Sequence, residues 1–431
     1  MDEERELRAL LTRAADTVGV LHPPSFELMA HHQRRQRLAV AILAPACAVI
    51  LVIAAAIALH VRDNRTPAAT IGVSQLTGYR WHSAPAAPLA ARSGAATAWT
   101  GSELIFWGGQ PDSVTKYFDD GAAYDPATKQ WTKLPASPLS ARGEPISVWA
   151  GHDLFIWGGN NRSAHNLTDG ALYDPSSQHW TALPTAPLRG DYLDAGAYLV
   201  GSKVLLITVP KKAPYSTVDA ALYDPAANTW QQESALQLPV HRAIEYLNAV
   251  AADGNLLVQF SWQGGTKPRG YSYITTSSKW TQNELVLPYS SVAGRMLWTG
   301  SRVLQTPIDR ICTKCPPKQP LGLSTDPVTG KRTKISIGPL DRSTPMYVWT
   351  GGALLGVART PPNGFPQAAA QGDAAAWDPA TGNWTSLHSA TSLKGADSLD
   401  ARSGLWTGSS LFVWTDSNYP GHLTVLQFGP G

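Results

Sequence analysis

From residue 79 onward the chain alternates short apolar runs with polar turns at a fixed step. Runs such as Leu104-Ile105-Phe106-Trp107 and Leu154-Phe155-Ile156-Trp157 hold four aromatic or branched residues. Each follows a Trp-x-Gly tripeptide, seen as Trp99-Thr100-Gly101, Trp149-Ala150-Gly151, Trp298-Thr299-Gly300, Trp349-Thr350-Gly351 and Trp406-Thr407-Gly408, with Gly201 and Gly254 in the same place elsewhere. Two such runs about a Gly-containing turn predict a β-hairpin. A polar loop of variable length comes next, then an aromatic-Asp-Pro turn (Tyr124-Asp125-Pro126, Tyr173-Asp174-Pro175, Tyr223-Asp224-Pro225, Trp377-Asp378-Pro379) and, six residues after the aspartate, a tryptophan. The carboxylate bonds nearby amides and proline presets its own φ, so the chain turns there and the tryptophan opens a fourth strand.

These tryptophans are Trp81, Trp131, Trp180, Trp230, Trp280 and Trp384, spaced 50, 49, 50, 50 and 104. The last gap spans two steps, and the vacant register falls at Arg332, six residues after Asp326. Seven units of about fifty residues, each with four antiparallel strands, predict a seven-bladed β-propeller. Tyr79 to Leu89 matches Lys129 to Leu139 and has no inner strands before it, while Leu405 to Phe428 has no tryptophan strand after it. The N-terminal piece is therefore expected to complete the last blade and leave no open edge.

The glycine pairs Gly108-Gly109 and Gly158-Gly159, the aromatic-Asp-Pro turn and the following tryptophan resemble kelch repeats over about residues 71–430. The pair is intact only in the first two units, and the fifth unit is the most divergent. Some kelch-type rings are carbohydrate enzymes, galactose-oxidase-like copper oxidases or sugar isomerases, and that is the alternative activity the resemblance implies. The oxidases use two histidines and two tyrosines, one joined to a cysteine. Here no two ring histidines share a short spacing, the ring cysteines form one close pair, and the cross-link has no evident donor. No metal or cofactor is expected, and the expected role is non-catalytic binding of a protein, peptide or glycan.

Before the ring, Leu38 to Val61 is 24 residues without a charge. As a helix it would extend roughly 36 Å, enough to cross a bilayer. A cleaved signal peptide competes, but a 37-residue leader before it favours an uncleaved anchor. Arg34, Arg35 and Arg37 against Arg62 and Arg65 set the N-terminus in the cytoplasm and the ring outside. The expected organisation is a cytoplasmic segment 1–37 with a short amphipathic helix (a docking helix or a membrane-surface helix), a span 38–61, a linker 62–70 and a propeller 71–431.

Charged residues are 16% and the net charge is +3, without a basic stripe, which argues against nucleic acid as a partner. Cys312-Thr313-Lys314-Cys315 lacks both a βαβ context for redox work and a second ligand pair for zinc, so a loop disulfide is expected. Candidate ligand residues come from the long loops between second and third strands, with Tyr117, His165, Trp262 and Tyr419 foremost. To these are added Arg92, Arg142 and Arg342, each nine residues before a Trp-x-Gly glycine. The three arginines have two readings: a cationic ring at the central mouth for an anionic ligand, or donors to the carbonyls of their own links.

Overall fold

The structure is a computed structural model and describes residues 70–111, 116–164, 166–211, 217–238, 244–262, 269–283, 295–306, 322–336, 338–340, 345–358, 373–388, 399–415 and 422–431. The segments 1–37 and 38–61, along with Cys312, Cys315, Arg342, His165 and Tyr419, lie outside these residues. Among the described residues no helix is long and apolar enough to cross a membrane.

The described strands form seven antiparallel sheets, each a four-stranded meander, and in blade 3 a short extra strand, Leu236–Gln237, pairs with Thr217 and Val218 of the third strand. Blade 1 is Ala96–Trp99, Leu104–Trp107, Gly121–Asp125 and Gln130–Lys133, and blade 2 is Ile146–Trp149, Leu154–Trp157, Gly170–Asp174 and His179–Ala182. Blade 3 comprises Tyr192–Val200, Lys203–Pro210, Thr217–Asp224 and Thr229–Gln232; blade 4 comprises Ile244–Ala252, Asn255–Trp262, Arg269–Ile274 and Lys279–Asn283. Blade 5 is built from Met296–Trp298, Val303–Gln305, Gly322–Thr325 and Arg332–Ile335, and blade 6 from Met346–Trp349, Leu354–Val357, Ala374–Trp377 and Trp384–Ser386. In blade 7 the strands Leu399–Trp406, Leu411–Thr415 and Val425–Pro430 are completed by Tyr79–Ser83, with Trp81 opposite Phe428. The expected latch is present, and the all-β seven-bladed architecture stands.

The gradient of burial across a blade follows from its place in the ring. First strands of neighbouring blades lie side by side at the centre. Second strands are covered on both faces by adjacent blades, so Leu104–Trp107 and Leu154–Trp157 are buried throughout. That is why they read as continuous apolar runs. Fourth strands form the rim and are mostly exposed.

Each rim tryptophan also ties its blade to the one before. The Nε1–H of Trp131 donates to Pro85 O at 3.0 Å, Trp180 to Pro135 O at 3.1 Å, Trp230 to Pro184 O at 2.9 Å and Trp280 to Ser234 O at 2.9 Å. Trp384 reaches Ser336 O at 3.0 Å, and Trp81 reaches His388 O at 2.9 Å. In blades 1, 2 and 3 the tryptophan ring packs on the aromatic of the Asp-Pro turn, Tyr124–Trp131, Tyr173–Trp180 and Tyr223–Trp230, with centroids 4.9, 4.8 and 4.9 Å apart. Arg332 takes the tryptophan's register in blade 5, paired with Thr325. The turn itself is held as the sequence implies: Asp125 Oδ1 accepts Ala127 N at 2.8 Å and Oδ2 accepts Thr128 Oγ1 at 2.8 Å.

Ahead of the latch strand a single helical turn, α1 (Val73–Leu76), buries Leu76 in the core shared by blades 6 and 7. Blades 7 and 1 meet through Leu89, Phe106, Tyr124, Phe412, Trp414 and Leu423, which closes the ring.

Candidate functional site

In a meander, the loop between second and third strands lies on the same side as the link to the next blade. On this side, in blades 1 and 2, stand Arg92 and Arg142, and both are buried, at 1% and 0% exposure. Arg142 Nη1 donates to Gly158 O at 3.1 Å and to Asp169 Oδ1 at 2.8 Å, while Nη2 donates to Asp169 Oδ2 at 2.9 Å and Nε to Ser140 O at 2.9 Å. Arg92 repeats most of the set, with Gly108 O at 3.0 Å, Asp120 Oδ1 at 2.8 Å and Ala90 O at 2.9 Å, but its buried Nη2 makes no hydrogen bond among the described residues; its guanidinium lies 4.2 Å from the Phe118 ring centre. The carbonyl of the first glycine in each Gly-Gly pair is thus a ligand of the arginine in the same blade. The second glycine has no room for a side chain: a Cβ on Gly159 would lie 2.7 Å from Gly143 O.

This arrangement corrects the cationic-mouth reading for Arg92 and Arg142. Their guanidinium groups sit inside the protein satisfying link carbonyls, the second of the two roles the sequence allowed. What meets solvent is the other half of each ion pair, since the Asp120 and Asp169 side chains are 56% exposed. The Arg142 hydrogen bond holds the Asp169 carboxyl below its ordinary pKa, against the upward push of burial.

A cavity of about 270 Å³ opens on this face where blades 2 and 3 meet. Its walls come from the link into blade 2 (Glu144), the start of that blade's first strand (Ile146), the loop after its second strand (Gly159, Asn160, Asn166) and the start of blade 3 (Tyr192, Leu193, Asp194, Ala195). Gly143 and Asn160 exchange backbone hydrogen bonds at 2.9 Å, which fixes link against loop. Glu144 follows in the left-handed region, at φ 49°, and its Oε2 accepts Asn160 Nδ2 at 3.2 Å. Across the cavity, Asn166 Nδ2 donates to Tyr192 O at 2.9 Å and the Tyr192 hydroxyl donates to Leu167 O at 3.0 Å.

A β-bulge between Tyr192 and Asp194 shapes the blade 3 wall. The extra residue breaks alternation, so Tyr192 is buried against Trp157 while Leu193, 50% exposed, and Asp194 both face solvent. Asp194 is exposed yet ringed by protein, and that desolvation raises its carboxyl pKa, partly offset by the amide of Ala195. Burial likewise raises the Tyr192 hydroxyl.

Of the residues expected from sequence, Tyr117 is half-buried on the blade 1 loop beside Phe118, away from this cavity. Trp262 ends the second strand of blade 4. Glu144, Asn160, Tyr192 and Asp194 were not singled out by sequence reasoning. The first strands of blades 4 and 7 carry register shifts as well, between Ile244 and Tyr246 and between Leu399 and Gly404, so the extra residue in Asp191-Tyr192-Leu193-Asp194 does not single out this cavity.

The fold defines the class, a seven-bladed β-propeller. No family model matches the chain, and no curated protein is similar to it in sequence.

Proposed function

We propose that the chain is a kelch-like propeller held outside a membrane by residues 38–61, acting as a non-catalytic binding module for a basic segment of an extracytoplasmic protein or peptide. The observation that carries the ligand class is the balance of hydrogen-bonding atoms around the blade 2–blade 3 cavity. Asn160 and Asn166 already give Nδ2 protons to Glu144 and to the Tyr192 carbonyl. Each amide keeps its Oδ1 and its second Nδ2 proton, and the carboxylates of Glu144 and Asp194 add acceptors only. Neither carboxylate is ion-paired to a described residue. An acceptor-rich, partly desolvated pocket calls for a donor-rich cation, and a lysine ammonium or an arginine guanidinium supplies only donors. Exposed Leu193 at the rim offers contact for the aliphatic stem of such a side chain.

The kelch assignment rests on the glycine pairs, Asp-Pro turns and rim tryptophans. The tether rests on the 24 uncharged residues and their arginine flank. Lysine- and arginine-bearing peptides should bind the full chain in detergent, weaken with added salt, and lose roughly tenfold in affinity on Asp194→Asn. Equal binding of the same peptides with acetylated lysines and no arginine would sink this ligand class. On intact cells, Cys312 and Cys315 should react after reduction with a membrane-impermeant thiol reagent, and protection would place the ring inside.

A further inference from the structure

The opposite face of the ring carries the turns between first and second strands and between third and fourth strands. One position there, immediately before or at the start of the second strand, can be compared around the ring because the same turn hydrogen bond recurs: Thr100 N to Glu103 O, Ala150 N to Asp153 O, Thr299 N to Arg302 O. The neighbouring Asp-Pro turn places an aspartate beside it. In blade 3 the position is Lys203, whose Nζ lies 3.2 Å from Asp224 Oδ2. In blade 5 it is Arg302, which spans to Ser324 O at 2.9 Å and Lys331 O at 3.2 Å around the Asp326 turn.

Blade 2 inverts the charge. The position is Asp153, preceded by His152, and both face the Asp174 turn. His152 Nδ1 lies 3.3 Å from Asp153 Oδ1 and 3.8 Å from Asp174 Oδ1, and one donor atom from each of the three residues lies within 4.8 Å of the others. Beside them a cavity of about 300 Å³ is lined by His152 and Asp174 and, from blade 1, by Thr100, Ser102 and Glu103. Among the described residues no lysine or arginine pairs with Glu103, Asp153 or Asp174. Where blade 3 supplies a cation from its own sequence, blade 2 supplies ligands.

We propose that His152, Asp153 and Asp174 hold a divalent first-row metal ion, zinc foremost, with the Glu103 side of the cavity completing its coordination. The two His152 distances, 3.3 and 3.8 Å, bracket the roughly 3.4 Å between ligand atoms at about 2.1 Å from a tetrahedral zinc, and the three donor atoms lie within 4.8 Å of one another. An imidazole with carboxylates selects zinc-type ions over calcium, which takes six to eight oxygens. Asp174 is held by Ser176 Oγ at 2.7 Å and Ser177 Oγ at 2.6 Å, the same turn bonding that Thr128 gives Asp125 and Thr381 gives Asp378.

The test is calorimetric titration of Zn²⁺ into the detergent-solubilised full chain with its cysteines alkylated. Wild type should take up a zinc ion that His152→Ala releases at least about tenfold more readily. Asp153→Lys, which copies blade 3 into blade 2, should abolish that uptake while the ring melts in chelator no lower than wild type. Absence of uptake by wild type, or unchanged uptake by both variants, overturns the proposal; so does calcium binding in zinc's place.

Discussion

Arg142 shows how one residue decides what the mouth of the ring presents. Fully buried, it answers Gly158 O, Ser140 O and both oxygens of Asp169. Arg142→Met keeps the stem and removes every donor, stranding buried carbonyls. We expect a loss of about 3–5 kcal/mol, read as a lower denaturation midpoint. The pH dependence has a definite sign. The folded Asp169 pKa is depressed, so its contribution is present above the ordinary carboxyl pKa and is lost as pH falls through the lower folded value. The Asp125 carboxyl, lowered by the Thr128 hydroxyl, and that of Asp326, lowered by the Thr329 amide, act in the same direction. Stability should therefore decline below about pH 4, with a smaller decline in Arg142→Met.

At the level of the strand, the rim tryptophan does two jobs, packing on the turn aromatic of its own blade and donating to the link of the previous one. Trp180→Phe separates them, since the ring contact with Tyr173 survives while the bond to Pro135 O is lost. The expected cost is about 1 kcal/mol by denaturant titration, against about 3–5 for Trp180→Ala. Such elements were legible in the sequence because their determinants are local: the Asp-Pro turn, the Trp-x-Gly turn and the apolar run each fit within a few residues. The register even survives the missing tryptophan, with Arg332 where the period put it. The sites were not legible in the same way. Asp169 lies far along the chain from Arg142, so whether that arginine faces ligand or carbonyl depends on a loop's return path. His152 and Asp174 meet only across a hairpin pair, and the blade 2–blade 3 cavity draws on a link, a loop and a bulge from two blades.

For the whole ring, closure depends on the strand that arrives first in the sequence. Trp81 packs on Phe428 with centroids 5.0 Å apart and donates to His388 O, so it joins blade 7 to the link after blade 6. Trp81→Ala should cost about 3–5 kcal/mol, and hydrogen exchange should show the loss first as faster exchange in Val425–Pro430. The seam between blades 4 and 5 is built differently from the others. Among the described residues its core is Ala252, Leu257, Met296 and Val303, bridged by a buried bond from Gln305 Nε2 to Gln259 Oε1 at 2.7 Å.

The latch also sets a timetable. Tyr79 pairs with Pro430, about 350 residues later in the chain. At the usual pace of synthesis, roughly 5–20 residues per second, the first strand waits on the order of tens of seconds before its partner exists. During that interval Tyr79–Ser83 has no ladder to join, and six blades can assemble around a circle that cannot yet shut. The ring is therefore completed in one late step, when Val425–Pro430 emerges and meets Tyr79–Ser83.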